Sequence, residues 1–173
     1  LFLIINHATP IIVGNWKSTP KTLDDGIRFV KQIEKKIEKS KHKIPKKCYF
    51  LSVPEIFIPT LKDYAVRGYI GAQTVSGTTL GQITGATTPS QLVSAGASFA
   101  LVGHSEVRAR GETTEERKEK IFASLSSKLA TVFCVGEHKR DKEGKYIEEL
   151  ENDIKQTLST VRRELFSNLI IAY

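Results

Sequence analysis

With 173 residues, 40% of them hydrophobic and 26% charged, the chain holds enough apolar material for one sizeable core, and its composition excludes a disordered or fibrous protein. Two cysteines, Cys48 and Cys134, lie in separate apolar runs without metal-ligand spacing, which argues against a disulfide framework or a zinc site and predicts reduced, buried thiols. A net charge of +7 is compatible with a nucleic-acid, lipid or phosphorylated small-molecule partner. The lysines crowd Lys31–Lys47 and Lys118–Lys145 among glutamates, the pattern of a solvated helix face, and no nucleic-acid-binding module is recognisable.

The opening Leu1-Phe2-Leu3-Ile4-Ile5 is too short for a signal peptide or a membrane span. No methionine occurs at residue 1 or elsewhere. Residues 1–10 are therefore expected to be an extension or remnant, ahead of a domain over 11–173 that is cut at its C-terminal end. Strands are predicted at Ile11–Val13, Tyr49–Val53, Tyr69–Ala72, Phe99–Val102, Thr131–Val135 and Leu169–Ala172, short and apolar as parallel strands covered on both faces are.

Between them the apolar residues step by three and four. Leu23, Ile27, Val30, Ile33 and Ile37 mark one helix, and Ile121, Leu125 and Leu129 a second. Ile147, Leu150, Ile154, Leu158, Val161 and Leu165 mark a third. Thr19-Pro20 and Thr88-Pro89 each read as an N-cap followed by proline, Thr88/Gln91 and Thr113/Glu116 as capping boxes, and Gly96 as a C-cap. Six strand–helix alternations require an α/β fold with a parallel sheet. They fit a doubly wound sheet and most of a barrel equally well.

If the strands are parallel, their carboxyl ends bring Asn15 and Lys17, Gln73, His104 and the Cys134–Glu137 segment onto one rim, where barrel enzymes keep their chemistry. The motifs carrying these residues are Gly14-Asn15-Trp16-Lys17, Gly103-His104-Ser105-Glu106 and Cys134-Val135-Gly136-Glu137. In that order they resemble the triosephosphate isomerase family, over about residues 11–173. The resemblance implies a parallel (β/α)8 TIM barrel, incomplete here at about six of its eight units. It implies an isomerase of glycolysis and gluconeogenesis, interconverting dihydroxyacetone phosphate and D-glyceraldehyde 3-phosphate through an enediolate. The alternative is a non-catalytic paralogue or fragment that serves as an interaction protein.

By the same resemblance, Lys17 neutralises the phosphate and the developing enediolate, Asn15 supports that site, and His104 is the electrophile. A neutral histidine in that role is the established arrangement of triosephosphate isomerase itself. Trp16 is expected to cover the Lys17 stem. Ser105 and Glu106 begin a short helix, Glu106 is expected to form a buried pair with Lys120, and Cys134 packs near the base. The family's catalytic glutamate would follow Ile170-Ile171-Ala172-Tyr173, so the 173 residues alone are expected to be inactive. Thr84, on the loop 74–85, would reach the partner of a homodimer, although Ala86 and Val107 replace the family's usual glutamate and arginine. No cofactor or metal, no nucleic-acid or membrane partner, and a cytoplasmic location complete the expectation.

Overall fold

The computed structural model describes residues 11–41, 47, 49–78, 83–137 and 139–173. The extension expected at 1–10, and Cys48, lie outside them. Six strands form one sheet, β1 (Ile12–Asn15), β2 (Tyr49–Val53), β3 (Gly68–Ala72), β4 (Phe99–Val102), β5 (Ala130–Cys134) and β6 (Leu169–Ala172). They lie in sequence order and every neighbouring pair is parallel. A doubly wound sheet reverses its strand order part-way, whereas this one never does, so each crossover moves on in one direction and the sheet curls. The fold is a six-unit part of a (β/α) barrel.

Helices α1 (Leu23–Glu38), α2 (Ile58–Leu61), α3 (Pro89–Ala95), α4 (Ser105–Arg108), α5 (Thr114–Ser126) and α6 (Lys145–Leu158) lie between the strands. Three expected helix boundaries are corrected, the first at Leu129, which lies beyond the end of α5 at Ser126. The α1 cap is Thr22, whose hydroxyl accepts from Asp25 N at 3.2 Å, rather than Thr19. The last helix ends at Leu158; Val161 and Leu165 pack inward from a turn and a 3-10 segment, Arg163–Asn168. Apolar spacing continues past the helix there because the segment still faces the core. The capping boxes at Thr88/Gln91 and Thr113/Glu116 are both formed. Gly96 closes α3 at φ 97, a left-handed conformation that glycine adopts without penalty.

Alternate residues of the strands feed two cores. Tyr49, Leu51, Val53, Ile70, Val102 and Phe133 meet the helices, packing on Val30, Leu61, Leu92, Ile121 and Leu125. Phe50, Phe99, Leu101, Ala130 and Val132 point to the concave face, where the Phe50 ring lies 5.2 Å from Phe99 and 4.9 Å from Tyr69. Both faces are thus covered by side chains, which explains strands that are apolar without strict alternation.

Candidate active site

Strand β1 ends at Asn15, and the chain turns at Lys17 with φ 53. That left-handed conformation costs a residue with a side chain about 1–2 kcal/mol. It is held from both sides. The Lys17 N–H donates to Asn15 Oδ1 at 2.9 Å, and Gln73 Nε2, beyond the end of β3, donates to the Lys17 carbonyl at 2.6 Å. Strain imposed from the ends of β1 and β3 at a rim position is a mark of a site whose side chain must be aimed. The Trp16 ring meets Phe29 of α1 edge-on, with the ring centres 6.0 Å apart.

Lys17 Nζ reaches Glu106 Oε1 at 2.6 Å. Glu106 therefore pairs with Lys17, and the expected partner Lys120 binds Glu112 instead, at 2.7 Å. The geometry of α4 is the reason. His104 caps this helix, which projects Glu106 over the rim, while Lys120 lies further along α5 beneath the loop that carries Glu112. The Lys17 hydrogen bond, ahead of the lysine's charge, holds the Glu106 carboxyl below its ordinary value. Both side chains of this pair are about half exposed, so it positions groups more than it stabilises the fold.

His104 Nδ1 accepts the Glu106 backbone N–H at 3.3 Å. A nitrogen that accepts cannot carry the proton, so the proton resides on Nε2 and the imidazole is a neutral donor. Glu106 Oε2 lies 3.9 Å from the same Nδ1, too far for a hydrogen bond, and the backbone bond decides the tautomer. Gly103, just before, has φ 77, and a Cβ there would stand 2.8 Å from the Cys134 carbonyl oxygen. Only glycine lets β4 leave the sheet this close to β5.

Ser105 is exposed at the start of α4. Cys134 is half-buried rather than fully enclosed, and burial raises its thiol pKa, against a smaller opposite effect of Arg108. Arg108 Nη1 donates to the Gly136 carbonyl at 2.9 Å and ties the β4 rim to the β5 rim. Thr84 is exposed. Residues 79–82 of its loop lie outside those described, but Val75 and Ser76 at the loop's base are buried, and Ser76 N donates to Thr87 O at 3.0 Å.

A second cluster was not singled out from the sequence. Tyr173 OH donates to Glu137 Oε1 at 3.3 Å, Arg140 Nε donates to the same oxygen at 2.9 Å, and Arg140 Nη2 donates to Tyr173 OH. Glu137 and Arg140 are three residues apart, which was the available signal. Their contact fastens the end of β6 to the rim. Among the described residues no group of three His, Cys, Asp or Glu side chains could hold a metal ion.

The rim thus joins a fixed cation, a neutral imidazole donor and two amide side chains from strands β1, β3 and β4. A sequence model of triosephosphate isomerase matches residues 10–173. The chain belongs to the triosephosphate isomerase family. The triosephosphate isomerase of Bacteroides fragilis is 31% identical over 167 residues, covering 94% of this chain and 64% of that protein. That of Thermoanaerobacter pseudethanolicus is 30% identical over 169 residues, covering 95% and 65%. The Clostridium botulinum protein is 29% identical over 167 residues, covering 95% and 66%. The chain spans a little under two thirds of the first two relatives' length.

Proposed function

We propose that the protein is a triosephosphate isomerase, acting on dihydroxyacetone phosphate and D-glyceraldehyde 3-phosphate as a cytoplasmic homodimer. The observation that carries this is the shared rim of Lys17 and His104, with Asn15 and Gln73 holding the lysine backbone. Abstraction of a proton beside a carbonyl leaves an enediolate, whose oxygen needs a preorganised donor and a nearby positive charge. Neutral His104 presents Nε2–H to the carbonyl oxygen, and Lys17 counters the phosphate and the enediolate. Glu106 keeps the lysine oriented until the substrate's phosphate competes for it.

The base is the family's glutamate that follows the segment resembling Ile170–Tyr173. The Tyr173–Glu137 contact brings the end of β6 to the rim where that group is needed. The exposed Thr84 is the group offered to the partner subunit.

The test is His104→Ala and Lys17→Ala in the full-length protein, with kcat/KM measured in both directions and folding checked by circular dichroism. Each should lose about a hundredfold or more, the usual size of general acid–base and electrostatic contributions. Near-normal turnover by either variant removes that residue from the site.

A further inference from the structure

The positive charge of the chain is not spread over it. Residues 35–47 hold seven lysines and a single acid, Glu38. Taking these from the chain's 26 basic and 19 acidic residues leaves 19 against 18, so a thirteen-residue stretch carries nearly all of the net +7. Lys43 and Lys46 lie outside the described residues.

The fold places the described lysines of this run away from the site. Helix α1 leaves the catalytic rim and returns along the sheet, so Lys35, Lys36 and the C-cap Lys39 lie at the opposite end, the N-terminal face of the strands. Lys47 confirms the position: its Nζ donates to the carbonyl of Gly68, the first residue of β3, at 2.8 Å. Further basic residues enter the same face at other strands, Lys128 before β5 and Arg163 before β6. From β2 to β6 are four strand spacings, about 19 Å.

A helix C-terminus favours lysine, which accounts for Lys35 and Lys36 in the last turn and not for seven. The glutamates interleaved in the sequence do not neutralise the run either. Glu34 is turned to Tyr49 and Arg67, at 2.6 Å from the tyrosine OH and 2.8 Å from the Arg67 N–H. Lys31 sits over the Tyr64 ring, 4.8 Å from its centre. Lys35, Lys36, Lys39 and Lys41 are exposed, and among the described residues none is in an ion pair.

We infer that this face docks on an anionic lipid bilayer, with the catalytic rim directed away from it. Two features select a membrane over nucleic acid. The run's cations at neutral pH are lysines, strongly hydrated point charges suited to a layer of headgroups, and it lacks the arginine forks that read phosphates and base edges in pairs. The basic residues also cover a broad end of the sheet instead of lining a groove. Ile37, the apolar residue of α1's last turn, packs on the core, so binding rests on charge and is reversible.

The experiment is co-sedimentation of the full-length protein with phosphatidylcholine vesicles, with and without phosphatidylserine. Binding should require phosphatidylserine and disappear between about 0.1 M and about 1 M salt, as the screening length contracts. The triple variant Lys35→Gln, Lys36→Gln, Lys39→Gln should bind up to about a hundredfold more weakly, at about fivefold per lysine, with isomerase turnover unchanged. The triple variant Lys118→Gln, Lys142→Gln, Lys145→Gln should bind like the parent. Equal binding to both vesicles, or undiminished binding by the first variant with its circular dichroism intact, overturns the proposal. So does retention of a mixed-sequence DNA duplex by a protein that ignores the phosphatidylserine vesicles.

Discussion

Lys17 shows how a single residue can be set against the stability of its own fold. Its left-handed backbone, φ 53, is imposed by Asn15 and Gln73, both of which bind backbone atoms and would remain in place in a glycine variant. Lys17→Gly should relieve about 1–2 kcal/mol of strain while losing an exposed ion pair worth about 0–1 kcal/mol. The melting temperature is expected to stay level or rise by up to about 4 °C, with activity lost. A fall of several degrees in a thermal melt would show that the Glu106 contact outweighs the backbone. At this scale the sequence was legible in residue identity but not in pairing. The rim positions of Asn15, Lys17, Gln73 and His104 follow from strand ends, which are local. Whether Glu106 meets Lys17 or Lys120 depends on how far β1, α4 and α5 stand apart, and no spacing along the chain encodes that.

Among the elements, α5 concentrates the interactions that hold the layers together. Glu112, 3% exposed, binds Lys120 of α5, while the buried guanidinium of Arg117 on the same helix binds Asp153 of α6 and Thr114. Removing one member of the Glu112–Lys120 pair strands a buried charge. Lys120→Met should therefore cost about 3–5 kcal/mol in denaturant unfolding, and the double variant Glu112→Gln/Lys120→Met much less. Equal costs would show that the lysine matters through packing alone. The N-terminus of α5 predicts a pH effect. The Thr113 backbone N–H, then its hydroxyl, holds the Glu116 carboxyl below the ordinary 4.5. A lowered folded value contributes stability that is present above the unfolded value and lost as pH falls through the folded one. Between about pH 5 and pH 3 the parent should lose more stability than Glu116→Gln, measured by urea unfolding at each pH. Parallel losses would assign the bond no part in acid sensitivity.

At the scale of the whole molecule, the curled sheet has two edges. Among the described residues β1 pairs only with β2 and β6 only with β5, and Ile12 and Ile171 on these strands are 68% and 49% exposed. Open apolar edges recruit other chains. The 173-residue chain on its own is expected to self-associate in sedimentation velocity and to show no isomerase turnover above a host-enzyme blank. A stable, inactive monomer would mean that the edges are covered, and turnover would mean that another group supplies the base. In the full-length protein, protease should cut the exposed loop tip at Thr84–Ala86 in a monomer and spare it in a dimer. A monomer that resists cleavage there would remove Thr84 from the subunit contact.

Strand and helix placement, the capping boxes and the three rim motifs were determined by the sequence itself, because periodicity, cap chemistry and strand ends are local properties of the chain. The choice of a barrel over a doubly wound sheet was settled by tertiary structure, since periodicity is identical in the two and only the unreversed strand order separates them. The same holds for the partners of Glu106 and Lys120, for the end of α6 at Leu158, and for the placement of Lys35, Lys36, Lys39 and Lys47 at the end of the sheet opposite the site. Each depends on distances between segments remote along the chain, which packing fixes and spacing does not record.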